Sequence, residues 1–153
     1  MARCWLVKSE PDCYSFDQLV ADGRTAWEGV RNYQARNYMR DDMRVGDLVL
    51  YYHSSTAIPA VVGLATVASE AYPDPTQFDP ANEYYDPKAT AAAPRWFLVD
   101  LAPVRPLERP VTFEEMRTDP RLESMQLLAR GNRLSVMPVE SEHAKLIEEL
   151  AAA

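Results

Sequence analysis

Val45-Gly46-Asp47-Leu48-Val49-Leu50-Tyr51-Tyr52-His53 reads as a turn followed by a strand from Leu48 to His53 that is apolar on both sides. That pattern belongs to a strand inside a barrel or beneath a helix rather than to one with a wet face. His53 falls on the Val49/Tyr51 side. Downstream, Pro59 fixes the start of a second long strand, Ala60 to Ser69. Gly63 in its middle predicts either a bulge or a place where another group approaches the backbone closely. Upstream, Cys4 to Lys8 reads as a strand ending at the polar turn Ser9-Glu10-Pro11-Asp12, because Pro11 pushes Glu10 out of helical geometry. Ser15-Phe16-Asp17-Gln18 has capping-box spacing, with Phe16, Leu19 and Val20 on one face before Gly23 stops the helix. Thr25 to Trp27 is a short strand, and Asn32 is placed to cap a further helix. On that helix Ala35, Tyr38 and Met39 share one side, and Tyr33, Arg36, Asn37 and Arg40 the other.

Towards the C-terminus, Tyr72 to Pro94 holds five of the twelve prolines and the cluster Glu83-Tyr84-Tyr85-Asp86-Pro87-Lys88. A connection of that length with four aromatics, Tyr72, Phe78, Tyr84 and Tyr85, predicts an ordered flap. Arg95 to Leu107 returns to a strand, with Pro103 and Pro106 placing its end at an edge or bulge. Thr112-Phe113-Glu114-Glu115 starts a helix to about Asp119, Arg130-Gly131-Asn132-Arg133 is a turn, Leu134 to Val136 is a strand closed by Pro138, and Glu140 to Ala152 is an amphipathic helix with Leu146, Ile147 and Leu150 inward. The expectation is one α+β domain over residues 1–153, a small mixed β-barrel of five to six strands flanked by short helices.

The 153 residues carry a net charge of −7, from 16 Lys plus Arg against 23 Asp plus Glu. That sign excludes a protein holding nucleic acid by bulk phosphate neutralisation. A local patch stays compatible, and 13 Arg to 3 Lys favours forked recognition. Cys4 and Cys13 form no CxxC pair, and two histidines cannot write a zinc spacing, so no metal and no cofactor is expected. The charges at Lys8 and Glu10 exclude a signal peptide, and no run approaches the roughly 20 apolar residues of a membrane span. The expected location is the cytoplasm, or the nucleus in a eukaryote.

Cys4 or Cys13 with His53 is a formal nucleophile and base pair, but Cys4 in an apolar strand reads better as a buried small hydrophobe. More suggestive is the set Lys8, Ser9, Glu10, Trp27, Asn32, Tyr33, Arg36, Asn37, Tyr52, His53 and Ser54, which mixes stacking planes with donors at element ends. A flipped or unpaired base needs a π-face, worth about 1 to 3 kcal/mol, and donors and acceptors for its edge. The plainer reading makes Trp27 and Tyr52 core and Arg36 a solvated helix residue. Arg130 and Arg133 flank a turn with no acid between Met125 and Val139 and suit a phosphate, or are simply two surface arginines. Tyr84-Tyr85-Asp86 either covers a pocket or anchors the long loop.

Trp5-Leu6-Val7-Lys8-Ser9-Glu10-Pro11, Trp27-Glu28-Gly29-Val30-Arg31-Asn32-Tyr33-Gln34-Ala35-Arg36-Asn37, Gly46-Asp47, Tyr52-His53-Ser54, Tyr84-Tyr85-Asp86-Pro87-Lys88 and Arg133-Leu134-Ser135-Val136-Met137-Pro138-Val139 together resemble the EVE domain family over nearly the whole chain. The resemblance implies a PUA-like fold related to the YTH and ASCH domains. It implies a non-catalytic reader that accepts a modified base, a methylated or oxidised cytosine in DNA, in an aromatic-lined pocket. On that implication Trp27 and Tyr52 wall the pocket, Ser9, Asn32 and Ser54 bond the base edge, and Arg36, Arg130 and Arg133 hold phosphate. Glu10, Tyr33, Asn37, His53 and Ser135 complete the expected nucleic-acid-binding set. The partner is modified DNA, with RNA or a free nucleotide as the alternative, no membrane, and a monomeric protein. The rival readings are a nucleoside-processing enzyme using His53 or Glu10, and a protein-interaction module built on the 72–94 flap.

Overall fold

A computed structural model describes residues 3–153; the first two positions of the expected domain lie outside the described residues. In chain order the elements are β1 (Cys4–Ser9), α1 (Pro11–Tyr14), α2 (Phe16–Asp22), β2 (Thr25–Ala26), α3 (Tyr33–Asn37), β3 (Leu48–His53), β4 (Ala60–Val67), β5 (Tyr72–Pro73), β6 (Phe97–Leu98), β7 (Asp100–Thr112), α4 (Phe113–Thr118), β8 (Val136–Val139) and α5 (Ser141–Ala152). Six strands form one mixed sheet in the order β2-β7-β4-β3-β1-β8, and β5 and β6 pair separately. β1 runs parallel to β3, and every other pairing is antiparallel. Bulges at Tyr51/Tyr52, Val61/Gly63 and Leu64/Ala65 curl the sheet into a half-barrel.

β3 lies between β4 and β1, which is why its apolar run continues on both faces: Val49, Leu50, Tyr51 and Tyr52 are all buried. Gly63 satisfies both expectations at once. It sits at a bulge, and the Phe16 ring lies so close that a Cβ there would meet it at 2.5 Å. The caps form as read. Ser15 Oγ accepts from the Gln18 amide at 3.0 Å, Asn32 Oδ1 from the Ala35 amide at 3.0 Å, and Gly23 ends α2 at φ 77°. The reciprocal half of the Ser15 capping box is missing, because the Gln18 side chain donates to Asp22 instead.

Three boundaries differ from expectation. The strand expected over Arg95 to Leu107 is two strands, β6 and a β7 that continues to Thr112 through Pro103, Pro106 and Pro110. β2 covers β7 only at Asp100 and Leu101, so the prolines lie along a free edge where no amide is needed. β8 likewise runs on through Pro138, because it pairs with β1 alone. α3 changes after five residues into a π-helical turn, Tyr38–Asp42. In α5, Ile147 is fully buried and Leu146 and Leu150 partly so.

Candidate functional site

Where the end of β1, the 27–31 turn, the loop after β3, the approach to β8 and the 83–84 part of the flap meet, they enclose a cavity of about 660 Å³. Trp27 forms part of its wall. The indole is 9% exposed and stands edge-on to the rings of Tyr14 and Tyr51, with centroids at 6.4 and 5.5 Å. Of the three tryptophans, Trp5 donates its indole N–H to Asp47 at 2.9 Å and Trp96 donates to Asp86 at 2.8 Å. Trp27 has no acceptor among the described residues, and its indole nitrogen is not sealed from solvent. Its indole N–H is left unpaired within the described chain, on a residue that lines the cavity. Tyr84 lies across Gly29, whose φ is +85° and where a Cβ would meet the tyrosine ring at 2.6 Å. Glycine there permits both the left-handed turn and the close approach of the ring.

The remaining lining is polar. Ser9, Ser54, Ser55 and Ser135 supply four hydroxyls, and the Ser54 amide bonds to Ser9 O at 3.0 Å while the Lys8 amide bonds to Ser135 O at 2.9 Å, which ties three of these segments together. Ser55 takes a left-handed φ of 52°. Lys8, Glu10, Glu28 and Glu83 bring charge to the lining, and none of the four is in an ion pair among the described residues. Burial lowers the Lys8 ammonium pKa from its ordinary value.

The flap docks through Asp74 and Arg31. Asp74 accepts from the Gly29 amide at 2.8 Å, from Arg31 at 3.2 Å, and from the Thr76 amide and hydroxyl at 2.8 and 2.6 Å. Burial pushes its carboxyl up, and these hydrogen bonds outweigh that, so the net shift is downward. The Arg31 guanidinium also donates to Thr76 Oγ1 and to the carbonyls of Val30 and Tyr84, with the rings of Tyr84 and Trp96 at 5.4 and 5.1 Å. Gln77, fully buried, bonds the Trp96 carbonyl and the Arg95 and Trp96 amides. The flap is ordered, as its composition implied.

Five expected residues line the cavity: Ser9, Glu10, Trp27, Ser54 and Ser135. The others lie elsewhere. Tyr52 alternates to the face opposite Tyr51 and is buried, its hydroxyl pKa pushed up to about 12 by desolvation. It is Tyr51 that reaches Trp27. Asn32 uses its side-chain oxygen to cap α3. Tyr33 stacks on Trp96 at 4.8 Å and 16°. Arg36 lies 4.7 Å over Tyr33 and donates to the Arg95 carbonyl and to Asn37 Oδ1, so both side chains are engaged within the chain. His53 Nε2 accepts the Phe16 amide at the start of α2 at 3.1 Å, which requires a neutral ring; burial lowers its pKa, opposed by Asp17. Arg130 and Arg133 sit in an exposed turn without an acceptor among the described residues, and Arg133 is two residues from Ser135. Sequence reasoning missed Tyr14, Gly29, Arg31 and Ser55. A smaller cavity of about 250 Å³, between the 124–127 turn and the start of α5, has no tryptophan or tyrosine in its wall, and its His143 already faces Ser124 and Glu140.

Among the described residues no helix is long and apolar enough to cross a membrane. The EVE domain model matches residues 3–150. Thymocyte nuclear protein 1 of Mus musculus is 38% identical over 98% of this chain and 74% of its own length. Among solved structures, the human THYN1 protein in complex with 5-methylcytosine-containing DNA superimposes with a TM-score of 0.93 at 34% identity, covering 99% of each chain. A Pseudomonas syringae protein gives 0.92 at 40% identity, over 97% of this chain and 99% of its own. A YTH domain of Zygosaccharomyces rouxii shares the fold alone, with a TM-score of 0.53 at 14% identity, over 99% of this chain and 85% of its own. With its mixed half-barrel, its match over residues 3–150 and these relatives, the chain belongs to the EVE domain family.

Proposed function

We propose that this protein is a non-catalytic reader of DNA that accepts one flipped cytosine substituted at C5 in the cavity walled by Trp27 and Tyr84. The carrying observation is Trp27, a residue whose indole N–H has no partner among the described residues and which lines a cavity with Glu10 and four serines. About 660 Å³ suits a nucleoside, since small-ligand sites span roughly 300 to 1,000 Å³. Stacking on an aromatic plane contributes about 1 to 3 kcal/mol per base. Carboxylates accept from the cytosine N4 amine, the role assigned here to Glu10. Hydroxyls and the indole N–H then serve the acceptors O2 and N3. The human relative in complex with 5-methylcytosine-containing DNA supports this choice of base. Arg130 and Arg133, exposed, without an acceptor among the described residues and a few positions before Ser135 in the chain, are assigned to the flanking phosphates.

Fluorescence anisotropy with matched oligonucleotides at physiological salt tests the proposal. A 5-methylcytosine strand should bind roughly tenfold tighter than the unmodified one, about 1.4 kcal/mol, and Tyr84→Ala should remove that preference. Arg130→Ala and Arg133→Ala should weaken both strands alike and flatten the salt dependence by about one charge each. Equal affinity for the two strands contradicts the proposal.

A further inference from the structure

Of the segments that line the cavity, the turn after β1, the 27–31 turn and the flap bring the carboxylates Glu10, Glu28 and Glu83. The loop after β3, residues 54–59, and the turn before β8, residues 130–135, contain no Asp or Glu. Sheet order brings these two segments together. β1 lies between β3 and β8, with Ser9 paired to His53 and Val7 to Val136, so β3 and β1 end where β8 begins. The Ser54 amide bonds to Ser9 O and the Lys8 amide to Ser135 O, one on each side of β1. Ser54 and Ser135 are therefore two strand spacings apart, roughly 10 Å. Like charges repel across an interface, so this edge of the cavity is the one a phosphate backbone approaches without meeting a carboxylate on the chain segments that form it.

The 54–59 loop presents an apolar tip at that edge. Its ends are fixed, the Ser54 amide donating to Ser9 O at 3.0 Å and the Phe113 amide to Pro59 O at 2.8 Å. Between them Ser55 is the one non-glycine residue with positive φ among the described residues. Such backbone persists only where its surroundings hold it, and it clusters at binding sites. Thr56, Ala57 and Ile58 are exposed. Ile58, at 69%, is the most exposed large apolar side chain among the described residues. Three Cα steps of about 3.8 Å keep it within about 11 Å of Ser55, which lines the cavity. A single exposed isoleucine is ordinary on a protein surface; this one stands on an anchored, uncharged loop at the mouth of the cavity.

Resting on the base-accepting reading above, we infer that Ile58 is a wedge for duplex DNA, entering the base stack beside the extruded cytosine and filling the gap that the base leaves. Extruding a base from a duplex gives up its pairing and its stacking. Apolar side chains, isoleucine among them, part base steps by inserting between them. The loop that carries Ile58 brings no negative charge to the phosphates, and the Arg130/Arg133 turn begins on the other side of β1. A single strand has no pairing to break and no gap to fill, so its binding does not draw on Ile58.

Titration of the wild type and Ile58→Ala with one 5-methylcytosine strand, alone and annealed to its complement, reads the effect. Ile58→Ala should weaken duplex binding roughly tenfold and single-strand binding by less than about twofold. Ile58→Leu, which keeps an apolar side chain of the same size, should retain duplex binding. Val45→Ala changes another exposed apolar residue, in the turn that precedes β3 at its opposite end, and should alter neither affinity. All three variants should melt at the wild-type temperature, since both positions are exposed. Equal losses on duplex and single strand would make Ile58 a general contact, and an unchanged duplex affinity would make it a bystander. Either result, or wild-type binding confined to the single strand, overturns the inference while the base-accepting reading survives. No preference for 5-methylcytosine over cytosine in either form removes the base-accepting reading, and this inference falls with it.

Discussion

At the junction between the 27–31 turn and the flap, Asp74 accepts from four donors and the Arg31 guanidinium reaches a carboxylate, a hydroxyl and two carbonyls. In the cavity that this junction borders, Lys8, Glu28 and the Trp27 indole N–H find no such partners among the described residues. The residue types are alike and their states opposite. Polar groups paired inside the protein fix one geometry, here the seat of the flap and of Tyr84. Groups left unpaired at a solvent-reached wall are available to a ligand. A single sequence thus builds a rigid frame and a receptive surface side by side.

The largest effect that separates the two states is at Asp74. Removing one partner of a buried ion pair costs about 3 to 5 kcal/mol, so Asp74→Ala should lower stability by that order in urea unfolding, whereas Glu83→Gln at the exposed rim should stay within about 0.5 kcal/mol. Equal losses would erase the distinction. The two tight glycines come next. Gly63→Ala drives a methyl into the Phe16 ring and, as overpacking, should cost about 1 to 3 kcal/mol. Gly29→Ala adds a side chain at positive φ, about 1 to 2 kcal/mol, and displaces Tyr84, so it alone of the pair should also reduce binding of the methylated strand. Asn32→Ala removes a helix cap and should cost about 1 kcal/mol without altering the preference between strands; loss of that preference would return Asn32 to the base edge.

The smallest effect is a pH dependence. His53 is held neutral by the Phe16 amide, and its pKa is depressed from 6.5 by burial. Between the ordinary and the depressed value the unfolded chain binds more protons than the folded one, so the His53 contribution is complete above pH 6.5 and fades as pH falls through the folded pKa. His53→Gln should lose that sensitivity. A variant with the wild-type acid profile would show that another group sets it.

Much of the fold was legible because its signals are local. The uninterrupted apolar run of β3 announced a strand covered on both faces, and Ser15, Gly23 and Asn32 announced helix ends. The prolines of β7 misled because a free edge depends on β2 being two residues long, which the neighbourhood of Pro103 does not reveal. The site was read unevenly for the same reason. Trp27 and the serines follow the ends of strands, but assigning Tyr52 to the wall ignored the alternation that sends Tyr51 to Trp27 instead. Arg31 stood in the quoted block and drew no attention, since Asp74, Thr76 and Tyr84 lie 43 to 53 residues away. Asn32 was readable as a cap and as a base contact, and its hydrogen bond to the Ala35 amide engages the side-chain oxygen in the first role.

The central claim, that a base enters against Trp27, is tested most directly by following the three tryptophan indole N–H resonances while a 5-methylcytosine oligonucleotide is added. The account predicts that the Trp27 signal shifts with saturating binding, while Trp5 and Trp96, held by Asp47 and Asp86, stay nearly still. Saturable binding that leaves Trp27 unmoved, or that moves Trp96 in its place, would contradict it.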